Sequence, residues 1–195
     1  MTKYSEYERI AQELDGIDIA MLFLNAGIGL MGPFKDITGP ETEEIVTVNA
    51  LHPIYLTKAL LSSILKRKAR SAIVITSSGL GSAPMPGILA YSCSKSFSSF
   101  LGEGLNYELK DKVDVLSWQC GEVSTKLLGK SRKGFTVITT EKASKGCLKS
   151  IGSRSLTYGA AVHEFQMMTT PSWVIQWAIS ANAAKVLKAY RTRQQ

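Results

Sequence analysis

The run "SAIVITSS" (residues 71–78) sets four consecutive apolar residues, Ala72 to Ile75, between small hydroxylated ones. It is of strand length and lacks the polar alternation of a half-exposed strand. Continuous apolar strands are what a parallel sheet covered on both faces requires. Upstream, "IDIAMLFLNAG" (17–27) repeats the pattern, and downstream "KVDVLSWQ" (112–119) supplies a third strand. Helical stretches separate them. A polar helix-like start, "MTKYSEYERIAQELDG", precedes the first strand. A long helix opens at Gly39-Pro40, proline suiting a first helical position, and runs through "ETEEIVTVNALHPIYLTKALLSSILKRK" with a kink expected at Pro53. After a Gly/Pro-rich loop, another helix carries residues 89 to 110. Strands alternating with helices predict an α/β fold with a doubly wound parallel sheet. In the last third, "TTEKASKGCLKSIG" (139–152) reads as a helix, "SLTYG" (155–159) as a short edge strand, and helices finish the chain.

With 195 residues and 45% apolar content the chain can bury one sizeable core, so a single domain is expected. The formal charge of +7 concentrates at "LKRKAR" (65–70), "KSRK" (130–133) and "KAYRTRQQ" (188–195). Such clusters attract phosphate-bearing ligands or anionic lipid, or serve as solvated helix ends. No aromatic residues alternate with them as a nucleic-acid groove requires, which argues against that partner. Cys93, Cys120 and Cys147 are odd in number and share no metal or redox spacing. They read as small buried fillers in a reducing compartment, with no metal implied. No signal peptide or run of roughly 20 apolar residues is present. The stretch "PSWVIQWAISANAAKVLKAYR" (171–191) suits either an interfacial helix lying on a membrane surface or a helix packed on the domain.

"NAGIGLMG" contains Gly27, Gly29 and Gly32 in the pattern G-x-G-x-x-G directly after a strand. A phosphate-binding turn of that kind must open a helix whose amides meet the pyrophosphate. Here Pro33 follows at once and the next helix starts near Pro40. The glycines are therefore not read as that turn. They let backbone pass close to something flat.

Chemistry enters with "YSCSK" (91–95), where Tyr91 and Lys95 stand one helical turn apart. Alone, such a pair means little, since each residue has an ordinary structural reading. Ser78 lies thirteen residues before Tyr91 at the end of a buried strand, and Asn49 lies within the preceding helical segment. Through "LNAG" (24–27), Asn49, Ser78, "YSCSK" and "GEVST" (121–125), the chain resembles the short-chain dehydrogenase/reductase family over nearly its whole length. The pieces "SR" (153–154), His163 and "PSW" (171–173) resemble its 17β-hydroxysteroid dehydrogenase and very-long-chain 3-oxoacyl-CoA reductase branch.

The resemblance implies a Rossmann-like sheet and hydride transfer between NADP(H) and a ketone or hydroxyl of a fatty-acyl-CoA or steroid, with NAD(H) not excluded. It also implies roles. Tyr91 exchanges the proton, Lys95 holds the nicotinamide ribose, Ser78 bonds the carbonyl and Asn49 anchors a proton relay. Asn25, Ala26 and Gly27 lie along the adenine, and Val123 and Thr125 border the nicotinamide. Cys120 stands where the family usually has proline. His52 and His163 fall outside the matched motifs and read as structural.

The pairing has a physical reason. A phenol of ordinary pKa about 10 exchanges protons slowly near neutrality, and an ammonium about 4 Å away adds up to about 4 kcal/mol at an effective dielectric near 20. Lys95 is thus expected to acidify Tyr91.

Family members begin with a strand, a T-G-x-x-x-G-x-G turn and two further strands that are not seen here. The expectation is an incomplete sheet missing its first βαβαβ half, with the strand at 18–24 as a bare edge and cofactor binding impaired. Residues 1–130 would form the core and 131–195 the substrate side of one partial domain. A fragment of a longer reductase is expected, or alternatively a non-catalytic interaction subunit. Either would associate with itself or with a chain supplying the missing half. Branch resemblance implies the endoplasmic reticulum membrane; a chain standing alone would be cytoplasmic.

Overall fold

The computed structural model describes residues 3–125 and 134–192. Helix α1 (Tyr4–Glu13), strand β1 (Met21–Leu24) and helices α2 (Gly39–Val46) and α3 (His52–Lys66) precede β2 (Ser71–Ser78). Then come α4 (Leu89–Leu109), β3 (Val113–Cys120), α5 (Thr140–Ser150), β4 (Leu156–Thr157), α6 (Ala161–Thr169) and α7 (Ser172–Thr192). The strands form one parallel sheet in the order β1-β2-β3-β4. The doubly wound α/β expectation is met, with β4 as the short edge strand.

The sheet is buried on both sides of β2, which explains its unbroken apolar run. Ile73 and Ile75, both 0% exposed, join Leu24, Val113 and Val115 against Leu60 and Ile64 of α3 and Leu101, Leu105 and Leu109 of α4. Val74 and Leu116 point the other way, onto Cys147 of α5. Each such side chain stabilises the fold by about 1.5–3 kcal/mol relative to exposure. β2 and β3 pair from Ser71↔Val113 to Ser78↔Cys120, so their carboxyl ends finish side by side. On the α5 side cover stops short of β1, leaving Met21 45% and Phe23 48% exposed on an edge strand.

The helical segment from Gly39 bends differently from the expectation. α2 starts with a capping box, Thr38 and Glu41 satisfying each other's backbone amides. A π-helical turn, Thr47–Leu51, then separates α2 from α3, and Pro53 sits in the first turn of α3. Proline has no N–H for the carbonyl four residues back, so the Asn49 carbonyl is freed. Ser98 Oγ of α4 donates to that carbonyl at 2.7 Å.

The last helix is tied down along its length. Gln176 Nε2 donates to Pro84 O at 2.8 Å, Ser180 Oγ to Pro86 O at 3.3 Å, and Arg191 Nη2 to Asp36 O at 2.7 Å. Of the cysteines, only Cys147 is buried; Cys120 is half-buried and Cys93 exposed, so the filler reading fails for Cys93. The reason is the helix period, which turns position 93 outward between buried Ser92 and Ser94. The "KSRK" run lies outside the described residues. Among the described residues no helix is long and apolar enough to cross a membrane.

Removing a fully enclosed side chain from β2 tests this core. Ile75→Ala is expected to cost about 2–5 kcal/mol, seen as a lower urea midpoint with an unchanged slope.

Candidate active site

Ser77 begins the site. Its buried Oγ donates to Lys95 O at 2.6 Å and shares a hydrogen bond of 2.7 Å with Ser99 Oγ, which also accepts from Gln119 Nε2 at 3.2 Å. These bonds dock α4 against the carboxyl ends of β2 and β3. Ser78, next in line, caps the short 3₁₀ turn Gly79–Gly81 by accepting from Leu80 N at 3.2 Å. Its side chain also lies near enough to Tyr91 to lower the pKa of the phenol. Two residues far apart in sequence thus present two hydroxyls to one place.

Lys95, one turn along α4, is 4% exposed. Its Nζ donates to Thr76 O at 2.9 Å and lies 5.8 Å from the centre of the Tyr91 ring. An ammonium has three N–H groups. Among the described residues the bond to Thr76 is its one hydrogen bond, which leaves two N–H groups to reach a hydroxylated ligand.

Asn49, 1% exposed, is held from both ends: Nδ2 donates to Ile28 O at 2.8 Å and to Ser94 Oγ at 3.0 Å, and Oδ1 accepts from Ile28 N at 2.9 Å. This binds the π-turn to the loop after β1. Close approach explains the glycines of that loop. A Cβ on Gly27 would meet Lys95 Nζ at 3.0 Å and Asn49 Oδ1 at 3.4 Å, and one on Gly29 would meet the Tyr91 ring at 3.0 Å. Asn25 and Ala26 are exposed beside them, Asn25 Oδ1 accepting from Thr76 Oγ1 at 2.9 Å. Across the site Val123 is buried, its backbone bridging Ile138, and Thr125 is exposed.

Ser78, Tyr91, Lys95 and Asn49 therefore converge. Sequence reasoning missed Ser94, although Tyr91, Ser94, Lys95 and Ser98 fall at i, i+3, i+4 and i+7 on one helical stripe, and that spacing was the available signal. It also missed the carbonyl of Thr76 and Met167, whose Sδ would lie 3.2 Å from a Cβ on Gly79. No local signal marks either. His163 is structural, its Nε2 2.9 Å from Thr136 O; His52 lies near Tyr7, their ring centres 5.9 Å apart.

The electrostatics reverse one expectation. Burial raises the Tyr91 phenol above its ordinary value, and Ser78 opposes this. Lys95 does not offset that rise; its ammonium is held at the Thr76 carbonyl. Burial brings the Lys95 amine down to about 8, and pushes the Cys120 thiol up to about 12. At neutral pH the site holds a protonated phenol, an ammonium and a neutral thiol. That arrangement can donate a proton to an oxygen bound between Ser78 and Tyr91. The remaining Lys95 N–H groups and the glycine-lined floor suit a flat, hydroxylated ligand such as a nicotinamide nucleotide.

A family model described as short chain dehydrogenase matches residues 3–135. The very-long-chain 3-oxoacyl-CoA reductase of Bos taurus is 31% identical over 176 residues, covering 86% of this chain and 56% of that protein. The 17-beta-hydroxysteroid dehydrogenase type 3 of Danio rerio is 28% identical over 184 residues, covering 90% and 60%. A short chain dehydrogenase from Burkholderia cenocepacia J2315 in complex with NADP has a similar structure, with TM-score 0.74 and 22% identity over 91% of this chain and 76% of that one. The chain thus spans little more than half the length of the two sequence relatives.

The buried amine has a measurable signature. Between about 8 and 10.5 the unfolded chain keeps the Lys95 proton while the folded chain has released it. The unfolded state then binds more protons, so this contribution to stability rises with pH across that window, by up to about 3 kcal/mol. Below the window the full burial cost is present. Urea midpoints measured from pH 7 to 10.5 should show this rise in the wild type and lack it in Lys95→Met.

Proposed function

The chain belongs to the short-chain dehydrogenase family, and on that premise we propose that it carries the proton-handling half of an NADP(H)-dependent carbonyl reductase for fatty-acyl-CoA or steroid ketones. The observation that carries the reading is the convergence of Ser78 and Tyr91 beside the buried Lys95. A phenol held protonated by burial is suited to reduction, where an alkoxide must be quenched.

When bound, NADP(H) supplies or takes up the hydride. Ser78 donates a hydrogen bond to the substrate carbonyl oxygen. Tyr91 passes its proton to that oxygen as the carbon gains the hydride. The alcohol would take its proton from this chain, and its hydride with both electrons from the cofactor that Lys95 and the glycine-lined floor would hold. Asn49, clamped on Ile28, positions the route by which solvent restores the proton to Tyr91. Lys95 would hold the ribose hydroxyls, Asn25, Ala26 and Gly27 the adenine side, and Val123 and Thr125 the nicotinamide side. Residues 131–195 would form the substrate side.

Among the described residues no glycine-rich turn leads straight from a strand into an α-helix. We accordingly propose that these residues bind NADPH weakly by themselves, and that further strands joined at the β1 edge complete the seat. Phe97, Phe100 and Tyr107, exposed at helical spacing on α4, support association with a second copy. The same open edge and stripe favour the alternative reading, an interaction subunit without turnover. The substrates named for the relatives support an endoplasmic reticulum membrane setting.

Tyr91→Phe separates the readings. With 3-oxoacyl-CoA or a 17-ketosteroid as substrate and NADPH or NADH as reductant, the substitution should lower kcat by about 10²–10⁴ while the protein stays folded. The wild-type rate should fall as pH rises through about 8, where Lys95 loses its charge. A wild-type rate no higher than that of the Phe variant would leave only the interaction role. Tight stoichiometric NADPH binding would overturn the weak-seat claim.

A further inference from the structure

The α6–α7 region exposes large apolar side chains that the site does not use. Trp173 is 67% exposed and Trp177 72%, one helical turn apart on α7. Just before them on α6, Phe165 is 67% and Met168 85% exposed. The inner face of α7 is already engaged through Gln176, Ser180, Leu187 and Arg191, and both tryptophans stand exposed along its flank. Trp177, Ala181, Ala184 and Lys188 continue that flank at i, i+4, i+7 and i+11.

Charge identifies the occupant. From Phe165 to Gln195 the chain has no Asp or Glu, and it carries Lys185, Lys188, Arg191 and Arg193. The acidic residue just before, Glu164, is paired with Arg154 at 2.7 Å. A tryptophan pair followed by lysines matches the depth profile of an anionic bilayer: indole rings prefer the interface, and ammonium groups meet the headgroups. We propose that the α6–α7 face docks on an anionic phospholipid surface, lying on it with Trp173, Trp177, Phe165 and Met168 in the interfacial layer.

The face adjoins the chemistry. Met167, between Phe165 and Met168, packs over Gly79, the residue after Ser78. A ketone dissolved in the bilayer would then meet the Ser78–Tyr91 pair without crossing water. That delivery rests on the reductase reading; the docking does not.

Flotation with phosphatidylcholine vesicles, with and without roughly one-third phosphatidylserine, tests the proposal. The chain should float with the anionic vesicles and not with the neutral ones. Tryptophan emission should move to the blue and be quenched by acyl-brominated lipid, with core-packed Trp118 as unchanged background. W173S/W177S should abolish flotation without changing the melting temperature. K185Q/K188Q should weaken binding about thirtyfold, at about fivefold per basic residue. Absence of flotation, equal binding to neutral vesicles, or flotation that survives W173S/W177S would overturn the proposal. So would a lipid-free oligomer that the tryptophan variant dissolves, since the face would then be covered by a second copy. Tyr91→Phe must float like the wild type, so loss of turnover in that variant and loss of docking report on separate claims.

Discussion

The buried hydroxyl of Ser77, wedged between the Lys95 carbonyl and Ser99, governs the rest of the molecule. It fastens the amino-terminal half of α4 to the carboxyl end of β2. Leaving such a group unpaired would cost about 1–3 kcal/mol, so the helix has one favourable seat. From that seat Tyr91 meets Ser78, Lys95 meets the Thr76 carbonyl, and Ser98 takes the Asn49 carbonyl that Pro53 leaves free. A proline in one helix thereby fixes where another helix lies.

Burying an ammonium opposes stability. Lys95 is drawn out of water against the Thr76 carbonyl, and its lowered pKa reflects the cost of burial. A leucine there would pack without that penalty. The penalty makes sense as chemistry, since an ammonium with two free N–H groups beside a protonated phenol is pre-arranged for a hydroxylated ligand and a proton to be given away. The cost is carried by the cores on either face of β2.

The two ends of the sheet are handled differently. Past β3, α5 and the short β4 close one edge, whereas β1 leaves its outer hydrogen-bonding groups and Phe23 open. An apolar parallel edge seeks pairing. The outer face of α7 presents tryptophans and lysines, which no strand can pair. These are different surfaces with different chemistry, one suited to backbone and the other to lipid.

Local sequence determined the strands and most helix limits. "SAIVITSS" is apolar because both its faces are covered, and β2 spans that run; the helix read at 89–110 is α4 to within a residue. Asn49, Ser78, Tyr91 and Lys95 were legible through the resemblance of their motifs to the family, since helical spacing by itself links only Tyr91 and Lys95. Only the tertiary structure decided the protonation balance. Lys95 and Tyr91 are neighbours by spacing, but whether the amine acidifies the phenol depends on burial and on the Thr76 carbonyl from another strand. The π-turn at Thr47–Leu51, the clamp of Asn49 on Ile28 and Met167 over Gly79 likewise arise from chain segments 21 to 88 positions apart. Periodicity reports what a residue's own element does. Desolvation and long-range hydrogen bonds belong to whatever the fold brings against it.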